Sequence, residues 1–237
     1  PGHAIPLVES FHAEFPNTTY DATIKVEHLL AHRDKLPLLA KTGCLFVTTA
    51  VEEVDNNVLG KLEKRHTRAD FVEAVGSART AGLTLSPTFI PFHPWTTPSG
   101  YLDLLSMIIE MDLIENVAPV QLAIRLLIPE GSRILELAEM KNYLGGFDAE
   151  KLSYNWKSVD PLADDLQSKV YEAVQHWERE GATRRDIFEQ VWILANEACK
   201  HLAPTLPPVS TDSSLVPSMS EPWYCCAEPT DAQLAGL

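Results

Sequence analysis

Basic clusters, long apolar runs and cysteine are all scarce in this sequence, and each scarcity removes a class of function. Lys and Arg number 19 against 33 Asp and Glu, a net charge of −14, and the longest basic runs are pairs such as Lys64-Arg65 and Arg184-Arg185. A chain of that balance offers no phosphate-binding face, so neither nucleic acid nor an anionic lipid surface is expected as a partner. No apolar tract approaches the roughly 18 residues that span a bilayer. The most promising, from Leu122 to Ile128, is interrupted by Arg125 and stopped by Pro129. Four cysteines, at 44, 199, 225 and 226, are too few and too scattered for a secreted disulfide framework. A reducing cytoplasm is the expected location. Nothing at the start, which is Pro1, has the pattern of a signal peptide.

What is present is an alternation of strands and helices. Short apolar runs at 23–26, 44–47, 83–90 and 120–127 are expected strands, separated by helical stretches at 36–41, 55–62, 71–78 and 101–113. Strands apolar on both faces and separated by helices make a parallel βα array. A closed barrel needs about 250 residues, so residues 1–147 are expected to form only part of a parallel (β/α) barrel. From 160 to 202 the period changes: Leu162, Leu166, Val170 and Val174 share one helical face. Gly181 breaks that run and Thr183 is placed to cap a second helix through Ile187, Val191 and Leu194. Residues 148–203 are therefore read as a helical hairpin extension. Beyond it, residues 204–237 are rich in proline and serine, the chemistry of a flexible linker and tail.

Parallel βα folds collect their functional groups at the carboxyl ends of the strands. Those ends supply Glu27 and His28; Glu52, Glu53 and Asp55; Thr88 and the run Pro91-Phe92-His93-Pro94-Trp95; and Arg125 with Pro129-Glu130-Gly131-Ser132. Lys64 and His66 follow the helix after the second strand. Taken singly each has a plain explanation: an acid before a helix favours its dipole, and an isolated strand arginine answers a structural carboxylate.

Their order resembles the radical S-adenosylmethionine superfamily. The stretch Gly43-Cys44-Leu45-Phe46-Val47-Thr48-Thr49-Ala50-Val51-Glu52, followed by Lys64-Arg65-His66-Thr67, is similar to that superfamily's fourth-strand pattern. Residues 81–91 resemble its fifth strand, and Arg125-Leu126-Leu127-Ile128-Pro129 with Gly131-Ser132 its sixth. The tail Glu221-Pro222-Trp223-Tyr224-Cys225-Cys226-Ala227-Glu228-Pro229 resembles the signature of the CUAEP/CCAEP-tail radical SAM family, some members of which carry selenocysteine at the position of Cys226. The superfamily's Cys-x3-Cys-x2-Cys triplet has no counterpart in this sequence. Because the opening residues resemble a family segment beyond the second strand, the triplet is expected in a preceding segment.

The resemblance implies S-adenosyl-L-methionine and a 4Fe-4S cluster as cofactors of the parent protein, with the cluster's ligands outside this chain. It also implies radical chemistry on an unidentified substrate and a reductant such as a ferredoxin or flavodoxin. On the matching positions, Glu27 and Glu52 would touch the amino-acid or ribose part of the cofactor, and Lys64 its carboxylate. Thr88 would approach the ribose and adenine, and Arg125 an anionic group. Cys225 and Cys226 form a candidate redox pair, since a bridge between neighbours is strained and easily reduced. Two other classes fit the residues: a non-catalytic degenerate barrel that binds a nucleoside or docks a partner, and a thiol oxidoreductase or selenium-handling protein acting through its tail.

Overall fold

The structure, a computed structural model, describes residues 2–208 and 216–217. Its centre is a parallel sheet in the order β1 (Tyr20–Thr23), β2 (Cys44–Glu52), β3 (Thr84–Phe89). The first strand ends earlier than sequence spacing suggests. Val26, a β-branched residue expected at a strand end, instead opens helix α2 (Val26–Ala31) and is fully buried there. An amino-terminal helix α1 (Ala4–Glu14) precedes the sheet and buries no residue completely.

Register determines which side chains share a face. Thr48 pairs with Ser86 and Ala50 with Thr88, while Val47 pairs with Leu85. Val47, Val51, Leu85 and Phe89 are almost wholly buried and belong to the main apolar core, with Phe89 edge-to-face against Phe71 at 6.1 Å. Phe71 lies on α5 (Arg68–Thr80), which follows α3 (Leu36–Lys41) and α4 (Asn56–Lys61). Helix α5 starts at a reciprocal cap, in which Thr67 Oγ1 accepts from the Asp70 amide and the Asp70 carboxylate accepts from the Thr67 amide. It ends before Gly82, whose φ of +73° is free of penalty only without a Cβ.

The run at 120–127 forms little strand. Pro119 starts a 3-10 turn over Pro119–Leu122, after which Phe92 and Arg125 make a parallel bridge. Part of the ladder is replaced by a side chain: the Phe89 amide donates to Gln121 Oε1 at 3.1 Å. Helix α6 (Pro98–Glu110) packs beneath, where Tyr101 donates from its buried hydroxyl to the Leu122 carbonyl at 2.9 Å.

An antiparallel hairpin, β4 (Leu144–Asp148) with β5 (Ser153–Trp156), then crosses the expected boundary at 147/148. The helical hairpin follows as α7 (Pro161–Arg179) and α8 (Arg184–Ala198), with Gly181 at φ +73° and a second reciprocal Thr183–Asp186 cap. Leu166, Val170, Phe188 and Val191 join the same apolar core as the sheet, so hairpin and sheet fold against each other. The observed class is mixed α/β with a three-stranded parallel sheet and a helical part. Among the described residues, no helix is long and apolar enough to cross a membrane.

Candidate functional site

The carboxyl end of β2 carries the most unusual backbone near the sheet. Glu52 sits at φ +68°, and the Glu53 amide donates to the Val51 carbonyl at 2.9 Å, so Glu52 is the centre of a tight three-residue turn. A residue with a Cβ is strained there, and such strain persists only where the surroundings over-determine it. They do so on three sides. The Glu52 carbonyl accepts from the Ile90 amide at 2.9 Å, its carboxylate meets Lys64 Nζ at 2.7 Å, and the neighbouring Glu53 carboxylate accepts from the Val54 amide at 2.6 Å. Lys64 is itself anchored, because its amide donates to the Leu59 carbonyl at 2.9 Å just beyond α4.

Glu52 and Lys64 line a cavity of about 580 Å³ between the turn after α4, the end of β3 and the 3-10 turns around residues 132–137. Three cations (Lys61, Lys64, Arg133) and three carboxylates (Glu52, Glu63, Glu136) line it, so its formal charge is zero within a strongly acidic chain. The rim is stitched by ion pairs: Arg133 meets Glu63 at 2.6 Å, and Lys61 pairs with Glu139. Lys61 also lies over the Trp95 ring at 4.7 Å, and Trp95 Nε1 donates to Glu139 at 3.1 Å.

Behind this wall are two buried histidines. His66 Nε2 donates to the Val51 carbonyl at 3.1 Å; burial, reinforced by nearby Lys64, holds its pKa below the usual imidazole range. His93 Nε2 lies 2.9 Å from the Glu53 carboxylate, their side chains 2% and 7% exposed. The His93 ring also packs on Trp95, with centroids 5.7 Å apart.

The other expected site residues lie elsewhere. Glu27 does not end a strand. It occupies the first turn of α2, within 4.0 Å of Lys25 and 3.9 Å of His28, because the chain turns helical directly after β1. Thr88 shares its sheet face with Ala50, opposite Phe89, and does not line the cavity. Arg125 reaches Asp164 on α7 at 3.0 Å, donates to the Trp156 carbonyl and stacks 3.6 Å from the Trp156 ring, so it fastens the helical hairpin to the sheet end. Cys44 is buried on β2, and burial, with Asp21 adding to it, pushes its thiol up to about 11. Cys225 and Cys226 lie outside the described residues.

Of the cofactor positions, only Glu52 and Lys64 come together. The meeting of Glu53 with His93 was not foreseeable from spacing, since 40 residues separate them.

No protein-family model and no curated protein matches the chain. Solved structures do. The cobalamin-dependent S-adenosylmethionine radical enzyme OxsB with aqua-cobalamin bound superposes with a TM-score of 0.63 at 12% identity, covering 83% of this chain. The same enzyme with aqua-cobalamin and S-adenosylmethionine bound gives 0.61 at 14% identity over 73% of this chain. Its apo form gives 0.60 at 14% identity. The chain spans 38% of the first of these and 31% of the other two. At such identities the likeness is one of fold: this chain has the fold of part of a radical S-adenosylmethionine enzyme.

Proposed function

We propose that the chain is part of a radical S-adenosylmethionine enzyme of unidentified substrate, and that the cavity beside Glu52 and Lys64 receives the zwitterionic end of S-adenosylmethionine. The observation that supports this most is the Glu52–Lys64 pair, held by strained backbone at the carboxyl end of a parallel strand. A zwitterion presents an ammonium and a carboxylate. Entering the cavity, it exchanges one internal ion pair for two: Glu52 takes the ammonium and Lys64 the carboxylate, with no net charge transferred. A partly buried ion pair is costly to desolvate twice, so a preformed pair is a fitting receptor for a ligand of matching polarity. Bound there, S-adenosylmethionine would supply a cleavable sulfonium; this chain's residues bind, orient and screen it from water.

The iron–sulfur cluster is a different matter. Among the described residues no three His, Cys, Asp or Glu side chains converge as metal donors. The residues described do not fit a cluster. The alternative reading is a degenerate barrel that binds a nucleoside or docks a partner, a module without chemistry of its own.

Calorimetric titration of the chain with S-adenosylmethionine and S-adenosylhomocysteine tests the site. Glu52→Gln and Lys64→Met should each weaken binding at least about tenfold, the order of one lost charge-assisted contact. Equal affinity in the parent chain and Glu52→Gln, with both folded, refutes the assignment. Iron and sulfide analysis of the parent protein purified without oxygen separates enzyme from module.

A further inference from the structure

Sequence composition makes residue 204 the start of a linker, yet the structure seats that stretch on the helical layer. Trp192 Nε1 donates to the Pro204 carbonyl at 2.8 Å, and Arg185 donates to the Pro207 carbonyl. Between these contacts Leu206 is 8% exposed and joins the main apolar core beside a groove lined by Ile109 of α6 and Trp192 of α8. Pro204, Pro207 and Pro208 have φ locked near −65° and no amide proton, which presets an extended, left-handed conformation.

The spacing of the two donors matches that conformation. Arg185 and Trp192 are seven residues apart on α8, about 10.5 Å along one face of the helix. Pro204 and Pro207 are three apart, the repeat of a polyproline turn of about 9.3 Å, and both their carbonyls face α8, accepting from Trp192 and Arg185. The order is reversed, with Trp192 meeting the earlier proline and Arg185 the later one, so the segment runs antiparallel to α8. An indole N–H and a guanidinium reading two carbonyls one turn apart, around an apolar anchor, is the chemistry by which grooves select proline-rich segments.

We infer that the groove between α6 and α8 is a recognition site for an extended Pro-x-x-Pro segment, and that residues 203–208 of the same chain are its resident ligand. The segment is a seated strap, exchangeable for a peptide of the same pattern. This inference is independent of the cavity beside Glu52.

The test uses indole resonances of the full-length, 15N-labelled chain. The Trp192 signal is identified by its loss in Trp192→Phe. Its proton should exchange with solvent at least about tenfold more slowly than a free indole. Leu206→Ala, which removes the anchor and leaves both hydrogen bonds possible, should reduce that protection at least about fivefold. Trp156 Nε1, bonded to the Leu126 carbonyl at 2.8 Å, reports that the core is intact and should not change. In Leu206→Ala, a peptide of residues 201–208 at millimolar concentration should restore protection, and one with both Pro204 and Pro207 replaced by alanine should not. Free exchange at Trp192 with Trp156 still protected overturns the proposal. So does equal rescue by the alanine-substituted peptide. Protection that appears only as the chain dimerises assigns the groove to a second copy and overturns the resident strap.

Discussion

Glu53 and His93 meet at 2.9 Å inside the protein, joining the residue after β2 to the loop after β3 and flanking the strained Glu52 from behind. Glu53 also accepts from the Val54 amide, so one carboxylate holds both the turn and the loop that carries Trp95. His93→Ala leaves that carboxylate buried with only the Val54 and Asp55 amides as partners. The expected loss is about 3 kcal/mol of unfolding free energy, within the range for breaking a buried pair. Urea unfolding of the single and double variants checks it, and Glu53→Ala with His93→Ala together should cost clearly less than the two separate losses summed.

The left-handed backbone at Glu52 separates fold from function. Glycine tolerates φ +68° without penalty. Glu52→Gly should therefore be more stable than Glu52→Ala by about 1 kcal/mol, while both lose affinity for S-adenosylmethionine. Equal stability of the two variants in thermal melts would show that the turn carries no strain.

His66 gives the chain an acid sensitivity of known sign. Burial holds its folded pKa below the unfolded value of about 6.5, so the folded state keeps the neutral ring and the unfolded state takes the proton first. The stabilisation is complete above about pH 6.5 and declines as pH falls through the interval down to the folded value. His66→Gln, which can still donate to the Val51 carbonyl, should flatten the loss of stability between pH 7 and 5. Denaturant midpoints across that range decide the matter.

Arg125 should matter to the hairpin rather than to any ligand. It combines an ion pair to Asp164, a bond to the Trp156 carbonyl and a stacked ring, a set that an ammonium cannot reproduce. Arg125→Met should cost about 2 kcal/mol, with Arg125→Lys recovering less than half, and binding at the Glu52 cavity should be unaffected in the folded variants. Unfolding curves and the same ligand titration report the two effects separately.

Much of the architecture was legible because local signals agreed with one another. Gly181, the Thr183 cap and the spacing of Leu166, Val170 and Val174 all specify a helical hairpin, and that is what forms. β2 and β3 were legible as apolar runs between helices. Val26 was misleading: a β-branched residue suits a strand, but here it is buried at the start of α2. The 120–127 run looked like a strand because periodicity cannot see that Pro119 starts a 3-10 turn, nor that Gln121 stands in for backbone. The β4–β5 hairpin was missed, although aromatic residues alternating at Tyr154 and Trp156 after Gly145-Gly146 were a usable sign. At the site, sequence order pointed to Glu52 and Lys64. Which partner each finds depends on the turn geometry, and no spacing rule supplies that.

The carboxamide of Gln121 has one more effect, on where the sheet can grow. By filling the Phe89 amide's demand it seals part of the flank beyond β3, next to the Phe92–Arg125 bridge. On the opposite flank β1 pairs, among the described residues, with β2 alone. A strand that adds along Tyr20–Thr23 meets the exposed Asp21, which sets a charge condition on whatever approaches. The sheet has a closed side and a receptive side, and an assembly built on it inherits that direction.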